Sequence, residues 1–142
     1  MCDAFKKIFG SLSLDIIDQC HCPLYLIPPG CNYPATNEIV YLSEDLKNDS
    51  LHLLYVGRIC LKTGSNFKLV HYRKGEEEYD VSDTIKLIES YFPNLNYKIE
   101  IEDTTDTFGK IKNLVGEKEN HLVVLSTKHR NIFQNLFHKS VT

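Results

Sequence analysis

Apolar positions along the chain alternate between two kinds of spacing. Phe5, Ile8, Phe9, Leu12 and Ile16 recur at helical intervals and mark one face of an opening helix. Leu24, Tyr25, Leu26 and Ile27 form a short unbroken apolar run between Pro23 and Pro28, which predicts a buried strand. Residues 28–37 (PPGCNYPATN) hold three prolines and a glycine, which prevent regular structure and make this the clearest linker. A strand follows at 38–43 around Ile39, Val40, Tyr41 and Leu42, then a helix at 50–61 with Asp49 or Ser50 as its N-cap. Residues 67–72 predict the next strand, and the acidic stretch 73–80 a solvated loop or frayed helix start.

Ile85, Ile88, Tyr91 and Phe92 mark a further helix, which Pro93 stops. Tyr97, Ile99 and Ile101 alternate with charged residues, the pattern of a strand with one wet face at a sheet edge. Phe108, Ile111, Leu114 and Val115 predict a helix started by Asp103 or Thr104 and ended by Gly116. Leu122, Val123, Val124 and Leu125 read as a strand buried on both faces, and Ile132, Phe133, Leu136 and Phe137 as a last helix. From residue 38 the order is strictly βαβαβαβα, which implies a parallel sheet, helices on both faces and right-handed crossovers. Ligands of such sheets sit beyond the carboxyl ends of the strands, so the candidate site is the turns after Leu42, Tyr72 and Leu125.

Composition narrows the class without naming a function. With 142 residues, 42% of them hydrophobic and 25% charged, the chain has the make-up of one globular domain. A net charge of -3 argues against a nucleic-acid grip built on phosphate neutralisation. No apolar run approaches the roughly 20 residues of a membrane span, and the start lacks a signal-peptide core. Five cysteines at no disulfide-scaffold spacing imply reduced thiols and a cytoplasmic protein. Cys20, His21 and Cys22 invite a zinc reading, but no second ligand pair exists. They are expected instead at a helix end entering a buried strand, where cysteine acts as a small hydrophobe. A thiol or metal site there is carried as an alternative. His71 reads as a satisfied core histidine, and Glu102, Asp103 and Asp106 as capping for the helix that follows.

The stretch HLVVLSTKHRNIFQNLFHKSVT at 121–142 resembles the closing strand, loop and helix of the universal stress protein family. That family's pattern is an apolar strand, then Gly, two residues, Gly, nine residues, Gly and Ser or Thr. EIVYLSED at 38–45 resembles its opening strand, which ends in aspartate, and LVHY at 69–72 its second strand. The N-terminus resembles the family too, in a displaced frame. Residues 16–28 (IIDQCHCPLYLIP) look like its final helix and last strand, and 5–13 resemble 133–141. The chain thus begins in one closing helix and ends in another. Two readings stay open: a fragment of a tandem protein, or a permuted unit whose front strand completes its own sheet.

The resemblance implies an α/β three-layer sandwich of Rossmann-like, flavodoxin-like form (the adenine nucleotide α-hydrolase arrangement), with a mainly parallel five-stranded sheet. The final strand comes from the N-terminal segment. The chain is one such unit over 1–142: closing helix and last strand at 1–28, linker at 29–37, main βα units at 38–142. It implies a homodimer joined through Leu24, Tyr25, Leu26 and Ile27, with no nucleic-acid or membrane partner.

Carried over by position, the three motif glycines are Ser126, His129 and Lys139, and only the closing hydroxyl, Ser140, is kept. Glu44 replaces the strand-one aspartate, and Tyr72 stands where the family has valine against adenine. Loss of all three glycines removes the backbone approach that a phosphate cradle needs. The expectation is a regulatory or interaction domain in stress response, not an enzyme, with no cofactor. The alternative is a domain that binds or slowly hydrolyses ATP, or senses another nucleotide or a small anion. It would use Ser43, Glu44, Tyr72, Ser126, Thr127, His129, Arg130, Lys139 and Ser140, with cations gathered near a helix N-terminus.

Overall fold

The structure, a computed structural model, describes residues 16, 19–25, 37–73, 75, 78, 80–117 and 121–126. Two compact units divide the chain, Met1–Pro34 with Arg130–Thr142, and Ala35–His129; the first boundary falls in the proline-rich linker. The larger unit alternates strand and helix throughout: β1 (Glu38–Ser43), a 3-10 turn (Leu46–Asn48), α1 (Ser50–Thr63), β2 (Asn66–Arg73), α2 (Ser82–Tyr91), β3 (Tyr97–Asp103), α3 (Thr107–Glu117) and β4 (His121–Leu125). All strand pairs are parallel, in the order β3-β2-β1-β4. Among the described residues no helix is long and apolar enough to cross a membrane.

Local chemistry explains the element ends. Gly64 stops α1 in the left-handed region at φ 69, and its N–H and that of Ser65 both donate to the Cys60 carbonyl. Pro93 follows directly on the last hydrogen bond of α2, from Phe92 N–H to the Ile88 carbonyl. Asp106 sits just before α3 and accepts from the Gly109 N–H at 2.9 Å, so one member of the expected acidic cluster does cap the helix. The other two pair with cations instead. Asp103 takes a two-pronged bond from Arg73 at 2.6 and 2.9 Å, and Glu102 pairs with Lys110 at 3.2 Å.

Pleating sorts β1 and β2 into two faces. Ile39, Tyr41, Phe67 and Leu69 share a core with Leu53, Val56 and Cys60 of α1 and with Ile88 and Phe92. Val40, Leu42, Val70 and Tyr72 lie on the opposite face and are equally buried. Each large side chain so buried contributes about 1.5–3 kcal/mol. The order of crossovers places the reversal between β1 and β4. From β1 the chain winds outward to β2 and β3, then returns past β1 to β4.

Three expectations change. The described residues hold four strands, not five. Leu24 and Tyr25 have irregular backbone and half-exposed side chains, and Leu26 and Ile27 lie outside the described residues. An apolar run becomes a strand only where a sheet edge takes its backbone groups, which a linear pattern does not specify. β4 is only half-buried along Leu122, Val123, Val124 and Leu125, because among the described residues it pairs with β1 alone. Tyr91, assigned to the inner face of its helix, is 63% exposed, since Thr84 and Ile88 form the buried stripe of α2.

Candidate functional site

At its carboxyl end β1 runs from apolar into polar residues while staying buried. Ser43 is fully buried, its hydroxyl donating to Asp49 Oδ2 at 2.5 Å and accepting from the Asp45 N–H at 3.2 Å. Leu46 plugs the turn into the core, and Asn48 donates to Asp45 Oδ2 at 2.5 Å, folding residues 44–49 back over the strand end. Asp49 takes the N-cap position of α1 as expected, yet makes no side-chain cap bond. Its buried carboxylate is turned under the loop, with Ser43 on one oxygen and His52 Nδ1 3.4 Å from the other.

The register brings β2 and β4 to the same place. His71 pairs with Ser43 across β1 and β2, and its Nδ1–H donates to the Ser43 carbonyl at 3.0 Å. Burial, helped by the Arg73 charge, lowers the His71 pKa, against the pull of that hydrogen bond and of Asp45 and Asp49. His71 is therefore a neutral, satisfied core histidine. Tyr41 aims its hydroxyl at this point, close to Asp49 and Ser126 but meeting neither at hydrogen-bonding geometry. Burial first, then the Asp49 charge, pushes its phenol well above the ordinary range.

Ser126 follows β4 and is nearly buried, so Ser43 and Ser126 stand together where the winding of the sheet reverses. Glu44 is half-buried at the loop entrance. Tyr72 lies on the other face of β2, buried, its phenol pushed up to about 12 by burial and then by Glu102 and Glu100. Thr127, His129, Arg130, Lys139 and Ser140 lie outside the described residues.

The described half of the site is thus a closed polar floor of acidic character. Ser43 is fully buried and donates its hydroxyl to a carboxylate. No group of three or more His, Cys, Asp or Glu among the described residues could hold a metal ion. Tyr41 and His52 were not picked out from sequence, and Asp49 was seen only as a cap. A Ser–Asp pair six residues apart across a turn follows no helix or strand period.

No protein-family model matches the sequence, and no curated protein is similar to it. Among solved structures, a protein from the universal stress protein family from Burkholderia pseudomallei superposes with a TM-score of 0.50 at 11% identity, over 78% of this chain and 94% of its own. At that identity the shared property is the fold.

Proposed function

We propose that this chain is a regulatory or interaction domain of the universal stress protein kind, acting in stress response and lacking the family's ATP cradle. The observation that carries the reading is the inward turn of Asp49. It occupies Ser43 and sets a buried carboxylate at the carboxyl end of β1, the end at which ligands of such sheets sit. Anions are disfavoured above such a floor unless cations outnumber it. Replacement of all three motif glycines by Ser126, His129 and Lys139 supports the same conclusion. So does bulky Tyr72 at the position that the resemblance sets against adenine.

In this reading the domain signals through partners and not through catalysis. It forms a homodimer through residues 24–27, and the half-buried apolar side chains of β4 support a need for a covering strand. A small-anion sensor built on Ser126 and the cations that follow is the competing reading. Calorimetric titration with magnesium ATP and, separately, inorganic phosphate tests both. No binding of ATP up to millimolar concentration is the expected result. Micromolar ATP affinity would overturn the proposal, and phosphate binding alone would favour the anion sensor.

A further inference from the structure

Cys20 and Cys22 do not behave as the buried hydrophobes that their sequence context suggests. Cys22 is exposed and Cys20 partly so, and both are free thiols. Their Sγ atoms are 3.1 Å apart, in direct contact but well beyond the roughly 2.05 Å of a disulfide bond. The Cys20 N–H closes one helical turn on the Ile16 carbonyl at 2.9 Å, and its Sγ also lies 3.6 Å from the Cys22 carbonyl. The chain therefore folds back so that one sulfur rests against the other in solvent. The remaining described cysteine is the contrast. Cys60 is sealed in the core of α1, where burial pushes its thiol up to about 12.

The geometry points to a reactive dithiol at Cys20 and Cys22 that exchanges with disulfide substrates, Cys20 attacking and Cys22 resolving. The asymmetry has a physical source. When Cys20 is the ionised thiol, the Cys22 S–H faces its sulfur at 3.1 Å and stabilises it; the contact lowers the Cys20 pKa and raises that of Cys22. The thiolate attacks one sulfur of a small-molecule disulfide. A Cys20–sulfur bond forms, the substrate S–S bond breaks, and the departing thiolate takes up the proton that Cys20 lost. Cys22 then attacks Cys20 Sγ, already in contact, and its proton leaves with the second substrate thiol. Two electrons pass from the pair to the substrate, leaving a Cys20–Cys22 disulfide and two free thiols. A ring closed over the single residue His21 and open to solvent is readily reduced again, which suits exchange better than a permanent staple.

The experiment uses full-length protein with Cys2→Ser and Cys31→Ser, leaving Cys20, Cys22 and Cys60. Glutathione disulfide is the probe, read by intact mass, free-thiol titration and peptide mapping. The expected product has lost two hydrogens, binds no glutathione, keeps one titratable thiol and maps to Cys20–Cys22. Adding Cys22→Ser should halt the reaction at one glutathione bound to Cys20. Limiting iodoacetamide on the protein with both thiols present should label Cys20 at least about tenfold faster than Cys22, because the contact between them favours one thiolate. Stable glutathione on both cysteines, or equal alkylation of the two thiols in the protein that holds both, would overturn the proposal.

Discussion

His71 shows how one buried side chain links local structure to solution behaviour. It donates to the Ser43 carbonyl and is held neutral because burial opposes a charge there. A base whose folded pKa lies below its unfolded value takes up protons more readily when unfolded. Stability is then whole above the unfolded value of 6.5 and declines as pH falls through it. The urea midpoint should drop below pH 6.5 with a slope of up to about 1.4 kcal/mol per pH unit. His71→Gln, whose amide can still donate to the carbonyl, should flatten that decline, and equal slopes for both proteins would refute the assignment. The core role of His71 was legible from a lone histidine in an apolar strand. The role of Asp49 was not, since a residue before a helix announces a cap whether or not its carboxylate turns elsewhere.

Among the elements, α1 and α2 meet through a glycine. A Cβ at Gly57 would stand 2.7 Å from Phe92 Cδ2, inside any tolerable contact. Phe92 cannot swing aside, being nearly buried in the core and followed by Pro93. At an exposed helical site Gly→Ala gains about 1 kcal/mol, but here overpacking should reverse the sign and cost about 1–3 kcal/mol. Chemical denaturation of Gly57→Ala measures this, and adding Phe92→Leu should restore part of the loss; a stabilised Gly57→Ala would show the packing to be looser. Helix and strand existence was legible throughout this region because period follows burial. Helix ends drifted by a few residues. Asp106, not Asp103 or Thr104, caps α3, and Asp103 is engaged by Arg73 instead.

At the scale of the whole sheet, the two outer strands among the described residues differ in kind. β3 carries Lys98, Glu100 and Glu102, and ion pairs tie Glu100 to Lys68 at 2.8 Å and to Lys98 at 2.6 Å. Charges of this kind discourage pairing with another chain. β4 is apolar from Leu122 to Leu125 and offers no such protection. On the proposal that residues 24–27 supply the covering strand, deleting residues 1–28 should give aggregated protein in sedimentation. A soluble monomer with native circular dichroism would show that β4 needs no such cover.

The order of elements, the parallel sheet and the wet edge at β3 were determined by sequence alone. Periodicity records which side of each element is buried, and strict alternation leaves few ways to wind the chain. The turns after Leu42, Tyr72 and Leu125 were located the same way, since carboxyl ends follow from strand direction. Only the tertiary structure decided what those turns contain: the inward carboxylate of Asp49, the neutral His71 beside Ser43, and the buried Tyr41 hydroxyl near Asp49 and Ser126. It also decided that Cys20 and Cys22 touch in solvent, not in a core. These are contacts between side chains placed by a turn or by neighbouring strands, and no period along the chain encodes them.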